Sequence, residues 1–356
     1  MKPTHKLLFV LCALLVLGFI YYSSWKLHID VWGQKPRYDK QGFLLQLETK
    51  LPPELAYKYG NLSEGVCKPG YAAAKMTSIY PKFVKLAPMF LDRNFKQLTK
   101  IKNFLPPFGI KTQERIIDNI LTETKTFGLG EDLDSLSCKR CIIVGNGGIL
   151  YNKSLGSRID EYDVVVRLNG APIAGYKKDV GTKTTLRITY PEGAIQKSEH
   201  YEGDSLFVFS AFKPIDFKWL KNMVFKEKLS RMEGFWKSVA QHVPRTPAEM
   251  RILNPYFIQE AAFQFIGLPF NNGLMGKGNI PTLGTVAITM ALHNCDEVAV
   301  AGFGYDMTSP QAPLHYYESV KMSAIKESWT HNIAKEKEFL RKLVKANVIT
   351  DLTKGI

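Results

Sequence analysis

The runs "CKRCIIVGNGG" (residues 138–148) and "DVVVRLN" (163–169) decide the fold. Each is a short stretch rich in β-branched residues that closes on glycine or asparagine, the pattern of a strand buried on both faces. Between them "GGILYNKSLGSRIDEY" reads as a turn and a short helix. A strand, a crossover and a second strand make a βαβ unit with parallel strands. Towards the C-terminus, "DSLFVFSAF" (204–212) reads as a third strand. "RILNP" (251–255) is strand-like and leads into the helix "YFIQEAAFQFIG". "PTLGTVAITMALHNC" is a helix with a Pro-Thr entry, and "EVAVAGFGYD" (297–306) is the strand after it. This alternation predicts an α/β domain with a mostly parallel sheet flanked by helices. Towards the N-terminus, "PMFLDRNFKQLTKIKNFLPPFG" suggests a helix ended by Pro106-Pro107, and "RIIDNILTETK" has helical periodicity. No internal repeat or low-complexity segment interrupts the chain.

The glycine loop after the first strand is the first candidate site. A dinucleotide fingerprint needs G-x-G-x-x-G and an acidic residue at the end of the second strand. Gly145 and Gly147 fit, but Leu150 stands where the third glycine belongs, and the second strand ends in Arg167-Leu168-Asn169. NAD is therefore not expected. What remains is a backbone turn at the carboxyl end of a strand, where α/β sheets bind ligands. Asn146 and Asn169 end the two strands of the unit, and their amides both donate and accept, which suits a base, a ribose or a sugar hydroxyl. Asparagine is also a common turn residue, so either one alone carries little.

A second element is Pro281 to Gly284 at a helix start. Unpaired N–H groups and a partial positive charge gather there, and phosphate binds such ends. Thr282 could add a hydroxyl or simply cap the helix. Gly302 and Gly304 mark another loop at a strand's carboxyl end. Third and fourth come "HYYE" (His315–Glu318) and "HNIAKE" (His331–Glu336). A histidine is the usual general base near neutral pH, and an N–H donor can stabilise a leaving phosphate. A metal reading of His315, Glu318 and His331 lacks any H-E-x-x-H. From spacing alone, these are ordinary surface or core histidines.

Length, charge and the N-terminus bound the setting. The chain has 356 residues, 45% hydrophobic, with formal net charge +14. The charge favours anionic partners, but no basic tract, zinc-finger spacing or RNA-binding aromatic motif points to nucleic acid. Leu7 to Tyr22 is uncharged and Ser23, Ser24 and Trp25 extend it, enough for a spanning helix, with Tyr21, Tyr22 and Trp25 where an interfacial belt would lie. Lys2 and Lys6 keep the leader cytosolic. A cleaved signal peptide is the competing reading, but aromatics replace its small-residue cleavage pattern. The expected organisation is a cytosolic tail at 1–6, a transmembrane signal-anchor at 7–25, a Pro-containing stem at 26–60 and a lumenal catalytic domain at 61–356. Of five cysteines, Cys12 lies in the anchor. Cys67, Cys138, Cys141 and Cys295 remain in an oxidising compartment, with three possible pairings. Asn61 and Asn152 begin glycosylation sequons that agree with this location.

These elements, in this order, resemble the animal sialyltransferase family. Residues 138–185 look like its large motif, 279–301 like its small motif, "HYYE" like its third, and His331 with Glu336 like its very small motif. Within the family the likeness is to members that modify galactose of N-acetyllactosamine-type chains at O3. The resemblance implies a single Rossmann-like nucleotide-sugar-binding domain, a variant of the GT-A glycosyltransferase fold. It implies CMP-sialic acid as donor and galactose-terminated glycans of glycoproteins or glycolipids as acceptors. It also implies an inverting displacement without a metal or other cofactor, and a Golgi membrane location of single-pass type II topology. It makes Asn146 and Asn169 nucleotide contacts. It places Thr282 and Gly284 near the CMP phosphate, and Gly304 in the site wall. It makes His331 the general base on the galactose 3-hydroxyl, and His315 the stabiliser of the departing phosphate. Ile280 stands where many relatives carry tyrosine. The family's disulfide between the large and small motifs implies Cys141–Cys295, which leaves Cys67–Cys138. Residues 201–270 are expected to shape the acceptor side. The rival readings are an O-glycan or glycolipid acceptor, an NAD-type oxidoreductase and a membrane-anchored lectin. Linkage mapping, NADH fluorescence quenching and CMP release on mixing the substrates separate them.

Overall fold

The computed structural model describes residues 14–17, 66–83, 87–228, 233–270, 279–306, 308–327 and 330–356. Its centre is a seven-stranded sheet. The strands are β1 (Arg140–Val144), β2 (Val164–Leu168), β3 (Leu186–Thr189), β4 (Leu206–Phe209), β5 (Met250–Ile252), β6 (Glu297–Ala301) and β7 (Ile349–Asp351). They run in the order β5-β4-β3-β2-β1-β6-β7 and every neighbouring pair is parallel. Cys141 lies opposite Val164 on one side and Val298 on the other. Side chains alternate across the pleat. Cys141, Ile143, Val164, Val166, Val298 and Val300 join the larger core, while Ile142, Val144, Val165, Ala299 and Ala301 join a smaller one on the opposite face.

The longer helices are α1 (Tyr71–Ile79), α2 (Glu114–Thr124), α3 (Pro214–Phe225), α4 (Leu283–Asn294) and α5 (Ile333–Lys345). α2 buries Ile117, Ile120, Leu121 and Thr124, a stripe at helical spacing, and packs on α3. α4 has no polar face: Leu283 to His293 is buried throughout. A helix apolar on all sides belongs in a core, and α4 packs on β1, β2, β3, β6 and α1.

This topology fixes where a ligand can enter. From β1 the chain walks outward to β5, then returns to add β6 and β7 on the other side. β1 and β6 are thus neighbours whose connections leave in opposite directions. Doubly wound sheets bind ligands in the crevice that opens at such a point, beyond the carboxyl ends of the strands. Here those ends are Gly145–Gly147 and Gly302–Gly304. A Cβ on Gly145 or Gly147 would fall 2.6 Å from the Gly302 carbonyl oxygen, so only glycine lets the two loops meet.

Both implied disulfides are present. Cys67–Cys138 and Cys141–Cys295 each have Cα atoms 6.0 Å apart. The second ties β1 to the residue that ends α4.

The architecture departs from the sequence reading at several points. The sheet is wholly parallel among the described residues, not merely mostly so. β3 and β7 were not expected as strands, and "DSLFVFSAF" is consequently the fourth strand. Residues 88–109 do not form one helix. They make the short helical turns Phe95–Gln97 and Thr99–Lys102, and the start of the stretch is held extended beside β5, where Phe90 bridges antiparallel to Leu253 and Leu91 N donates to the Ile252 carbonyl (2.9 Å). The tail, anchor and stem, and the Asn61 sequon, lie outside the described residues apart from Leu14–Leu17, which are helical and exposed. Among the described residues no helix is long and apolar enough to cross a membrane.

Candidate active site

A cavity of about 390 Å³ opens at the crevice. Asn146, Asn169, Thr282, Gly284, Gly304, His315 and His331 all line it. They come from six separate stretches of chain, and each is held by a traceable set of contacts.

Asn146 follows β1. Its carbonyl accepts from Tyr316 N (3.1 Å), Gly148 N donates to the Leu314 carbonyl (3.0 Å), and Gly147 bridges antiparallel to His315. The "HYYE" segment is thereby laid across the first glycine loop. The Asn146 side-chain Oδ1 is buried with no partner. A buried acceptor without a donor is costly, so this atom is an unfilled position for a ligand N–H or O–H.

Asn169 ends β2 with φ 51°, a left-handed conformation that asparagine tolerates better than most residues. Its N–H continues the ladder to the Ile188 carbonyl (2.9 Å), and its carbonyl accepts from Arg187 Nη1 (2.7 Å). Arg187 is buried and ion-paired with Glu202. Arg167, also buried, is satisfied by Thr184 Oγ1 and by the carbonyls of Val180 and Lys183. Burial, aided by the nearby Arg187 charge, pulls its pKa down to about 10. The two arginines that interrupt the apolar strands thus lock the loops around Asn169.

The N-terminus of α4 faces the same space. Thr282 caps it, its Oγ1 accepting from Thr285 N (3.3 Å). That hydroxyl also donates to Glu336 Oε2 (2.6 Å), as does Thr285 Oγ1 (2.6 Å), while Thr282 N donates to Glu336 Oε1 (3.0 Å). Burial raises the Glu336 pKa, against the pull of His331 and of these hydrogen bonds. Glu336 in the first turn of α5 therefore pins the first turn of α4. Beside it, His331 Nδ1 lies 2.8 Å from the Ile280 carbonyl. A carbonyl only accepts, so Nδ1 carries the proton and Nε2 keeps a free lone pair, the form a general base needs. Ile280 serves here through its backbone, whatever its side chain. His315 Nδ1 is bonded to the Glu318 carboxylate, and its ring stacks on Tyr317 at 5.4 Å. The carboxylate orients the ring and leaves its second nitrogen for a ligand. Among the described residues no three His, Cys, Asp or Glu side chains gather as a metal site.

Phe303 wedges the crevice open. A Cβ on Gly284 would meet its ring at 2.7 Å, and one on Gly145 at 3.1 Å. Tyr190, Glu192, Phe212, Lys213, Trp236 and Ile356 also line the cavity. Sequence reasoning assigned none of them, although Phe212, Lys213 and Trp236 fall within the 201–270 stretch. Asn152 lies apart, exposed in a turn whose N–H groups at 152 and 154 are held by Asp179.

Among the described residues the sheet is parallel and opens a ligand crevice at its switch point, and the chain belongs to glycosyltransferase family 29, the sialyltransferases, whose family model matches residues 90–348. Among its relatives, a human CMP-N-acetylneuraminate-beta-1,4-galactoside alpha-2,3-sialyltransferase is 66% identical, over 99% of this chain and 98% of that protein. The mouse protein of that name is also 66% identical, over the same shares. A rat lactosylceramide alpha-2,3-sialyltransferase is 41% identical, over 82% of this chain and 76% of that one. A crystal structure of a mammalian sialyltransferase superposes with TM-score 0.60 at 22% identity, covering 82% of this chain and 98% of that one. It shares the fold.

Proposed function

We propose that the protein transfers sialic acid from CMP-sialic acid to the 3-hydroxyl of terminal galactose on N-acetyllactosamine-type chains (Gal-beta-1,3/1,4-GlcNAc). The observation that carries the chemistry is His331, which lines the cavity and whose Nδ1 lies 2.8 Å from the Ile280 carbonyl, so that Nε2 is left to serve as the base. Nε2 takes the proton from the galactose 3-hydroxyl as that oxygen attacks the anomeric carbon of sialic acid. The bond from that carbon to the CMP phosphate breaks on the opposite face, and the anomeric centre inverts. Positive charge grows on the sugar ring and negative charge on the phosphate. The N–H groups at the start of α4 and the ring of His315, held by Glu318, meet the second charge. The unpartnered Asn146 Oδ1 and the amide of Asn169 take the nucleotide, and Thr282, Gly284 and Gly304 border its phosphate.

The 66% relatives, named for beta-1,4-galactoside, support this acceptor over the lactosylceramide of the 41% relatives. The uncharged segment 7–25 and the leader lysines support a type II membrane protein of the Golgi with its catalytic domain, 61–356, in the lumen. Asn152, and Asn61 with it, are proposed as glycan acceptors.

The test compares wild type with His331→Ala for transfer from CMP-sialic acid to N-acetyllactosamine, in EDTA, with linkage mapping. An alpha-2,3 product that the variant fails to make, CMP binding retained, is the expected result.

A further inference from the structure

Beyond Asn169 the cavity runs into a corner that the chemistry above leaves unused. Glu192 follows β3, Lys213 follows β4, and Trp236 stands at the mouth. Glu192 is 1% exposed. Its Oε1 accepts from Lys213 Nζ and from Trp236 N (3.4 Å), while its Oε2 is buried with no partner. Asp216, in the first turn of α3, faces the same ammonium, with Oδ1 3.3 Å from Nζ. Burial pushes the Asp216 carboxyl up to about 6 in spite of Lys213. A single ammonium thus answers two carboxyl groups, and no positive charge is left over.

That balance selects the ligand. A phosphate or a carboxylate would be repelled, whereas a neutral hydroxyl can donate to Oε2. Beside this polar corner Trp236 is 65% exposed, a large ring left bare at the cavity. Aromatic rings serve where one side of a ligand is apolar and the other polar. A pyranose has that character, with C–H groups on its face and hydroxyls on its edge.

We propose that Trp236 and Glu192 form a subsite for a sugar residue, Trp236 lying under its C–H face and Glu192 Oε2 accepting from one of its hydroxyls. The proposal rests on the sialyl-transfer reading. Two sugars share this chemistry: the sialic acid of the donor and a residue of the acceptor glycan.

The full-length enzyme and its variants Trp236→Ala, Trp236→Phe and Glu192→Gln are compared. KM is measured for CMP-sialic acid and for N-acetyllactosamine, and affinity for CMP by calorimetry. Trp236→Ala and Glu192→Gln should each raise KM for the same sugar-bearing substrate about tenfold, as expected for losing one ring contact or one hydrogen bond to a charged group. CMP affinity should stay unchanged, and Trp236→Phe should restore most of the loss. A rise in the donor KM assigns the subsite to sialic acid, and a rise in the acceptor KM assigns it to the glycan. Trp236 is exposed and its replacement leaves the core intact, so this arm decides even if Glu192→Gln does not fold. Unchanged KM values for both substrates in Trp236→Ala overturn the subsite. Weakened CMP binding in that variant also overturns it, by giving the corner to the nucleotide. A wild type that binds CMP and transfers nothing overturns the transferase reading and the subsite with it.

Discussion

Of the residues around the cavity, Glu336 has the least visible role in the sequence and one of the plainest in the structure. It lines the cavity but is almost wholly buried, and its carboxylate is taken up by neighbouring donors. It receives three hydrogen bonds from Thr282 and Thr285 and so sets the angle at which α4 presents its N–H groups. Removing it strands the part-buried Thr282 N–H and one of the two threonine hydroxyls, which can bond each other at 3.2 Å, at about 1–3 kcal/mol for each unpaired group. Glu336→Ala should therefore lower the melting temperature and raise KM for CMP-sialic acid, whereas Glu336→Gln, which keeps an acceptor for Thr282 N, should fold normally and hold KM within about tenfold. Equal behaviour of the two variants in thermal melts and steady-state kinetics would show that Glu336 does not orient the helix. At this scale the sequence was informative where a residue sits in a short motif: Asn146, Asn169, Thr282, His315 and His331 could be named and do converge. Glu192 and Trp236 could not. Their meaning depends on which strand ends lie side by side, and no local spacing encodes that.

Among the elements, β1, β2, β6 and α4 were legible because each carries an unbroken apolar run of three residues or more and is followed by glycine, asparagine or cysteine. β3 was not, since "LRIT" carries a charged residue in its middle and only Glu202, fifteen positions on, neutralises it. β7 is three residues long and draws its stability from pairing with β6. Yet β7 carries the segment that braces the crevice from behind. Asp351 accepts from Thr353 N (2.9 Å), Gly355 N (2.8 Å) and Ile356 N (3.1 Å), and Gly302 N donates to Thr353 Oγ1 (3.2 Å). This seats Gly355 against the backbone of Phe303 and Gly304. A Cβ on Gly355 would fall 2.4 Å from the Phe303 carbonyl oxygen, and Phe303 is the ring that spaces Gly145 from Gly284. Gly355→Ala should therefore act at a distance, raising KM for CMP-sialic acid and weakening CMP binding about tenfold with little change in circular dichroism or melting temperature. Unaltered CMP affinity would show that the wedge is not braced from this side.

Across the whole molecule, the C-x-x-C that opens the first strand sends its two cysteines to different tasks, and the pairing by itself was beyond local reading: three pairings of four cysteines were open until the family resemblance chose one. The structure gives the two bridges unequal settings. Cys141–Cys295 spans 154 residues and lies wholly in the core, joining the donor-side strand to the end of α4. Cys67–Cys138 spans 71 residues, is only partly buried, and fastens the segment before α1 to the chain just ahead of β1, away from the cavity. Loop-closure entropy assigns both a similar stabilisation, about 5 and about 4 kcal/mol on the chain-entropy model, so stability alone would not tell them apart. Accessibility and position do. A mild reductant followed by alkylation of the native enzyme should label Cys67 and Cys138 first, with sialyl transfer largely retained, because opening that bridge leaves the crevice untouched. Activity should fall only when Cys141 and Cys295 are also labelled, and these should yield only under partial denaturation, since thiol exchange needs access to the sulfur. Mass mapping of the alkylated cysteines against residual transfer reads both quantities in one experiment. Early labelling of Cys141, or loss of transfer with only Cys67 and Cys138 opened, would mean that the outer bridge, and not the buried one, holds the two halves of the site together.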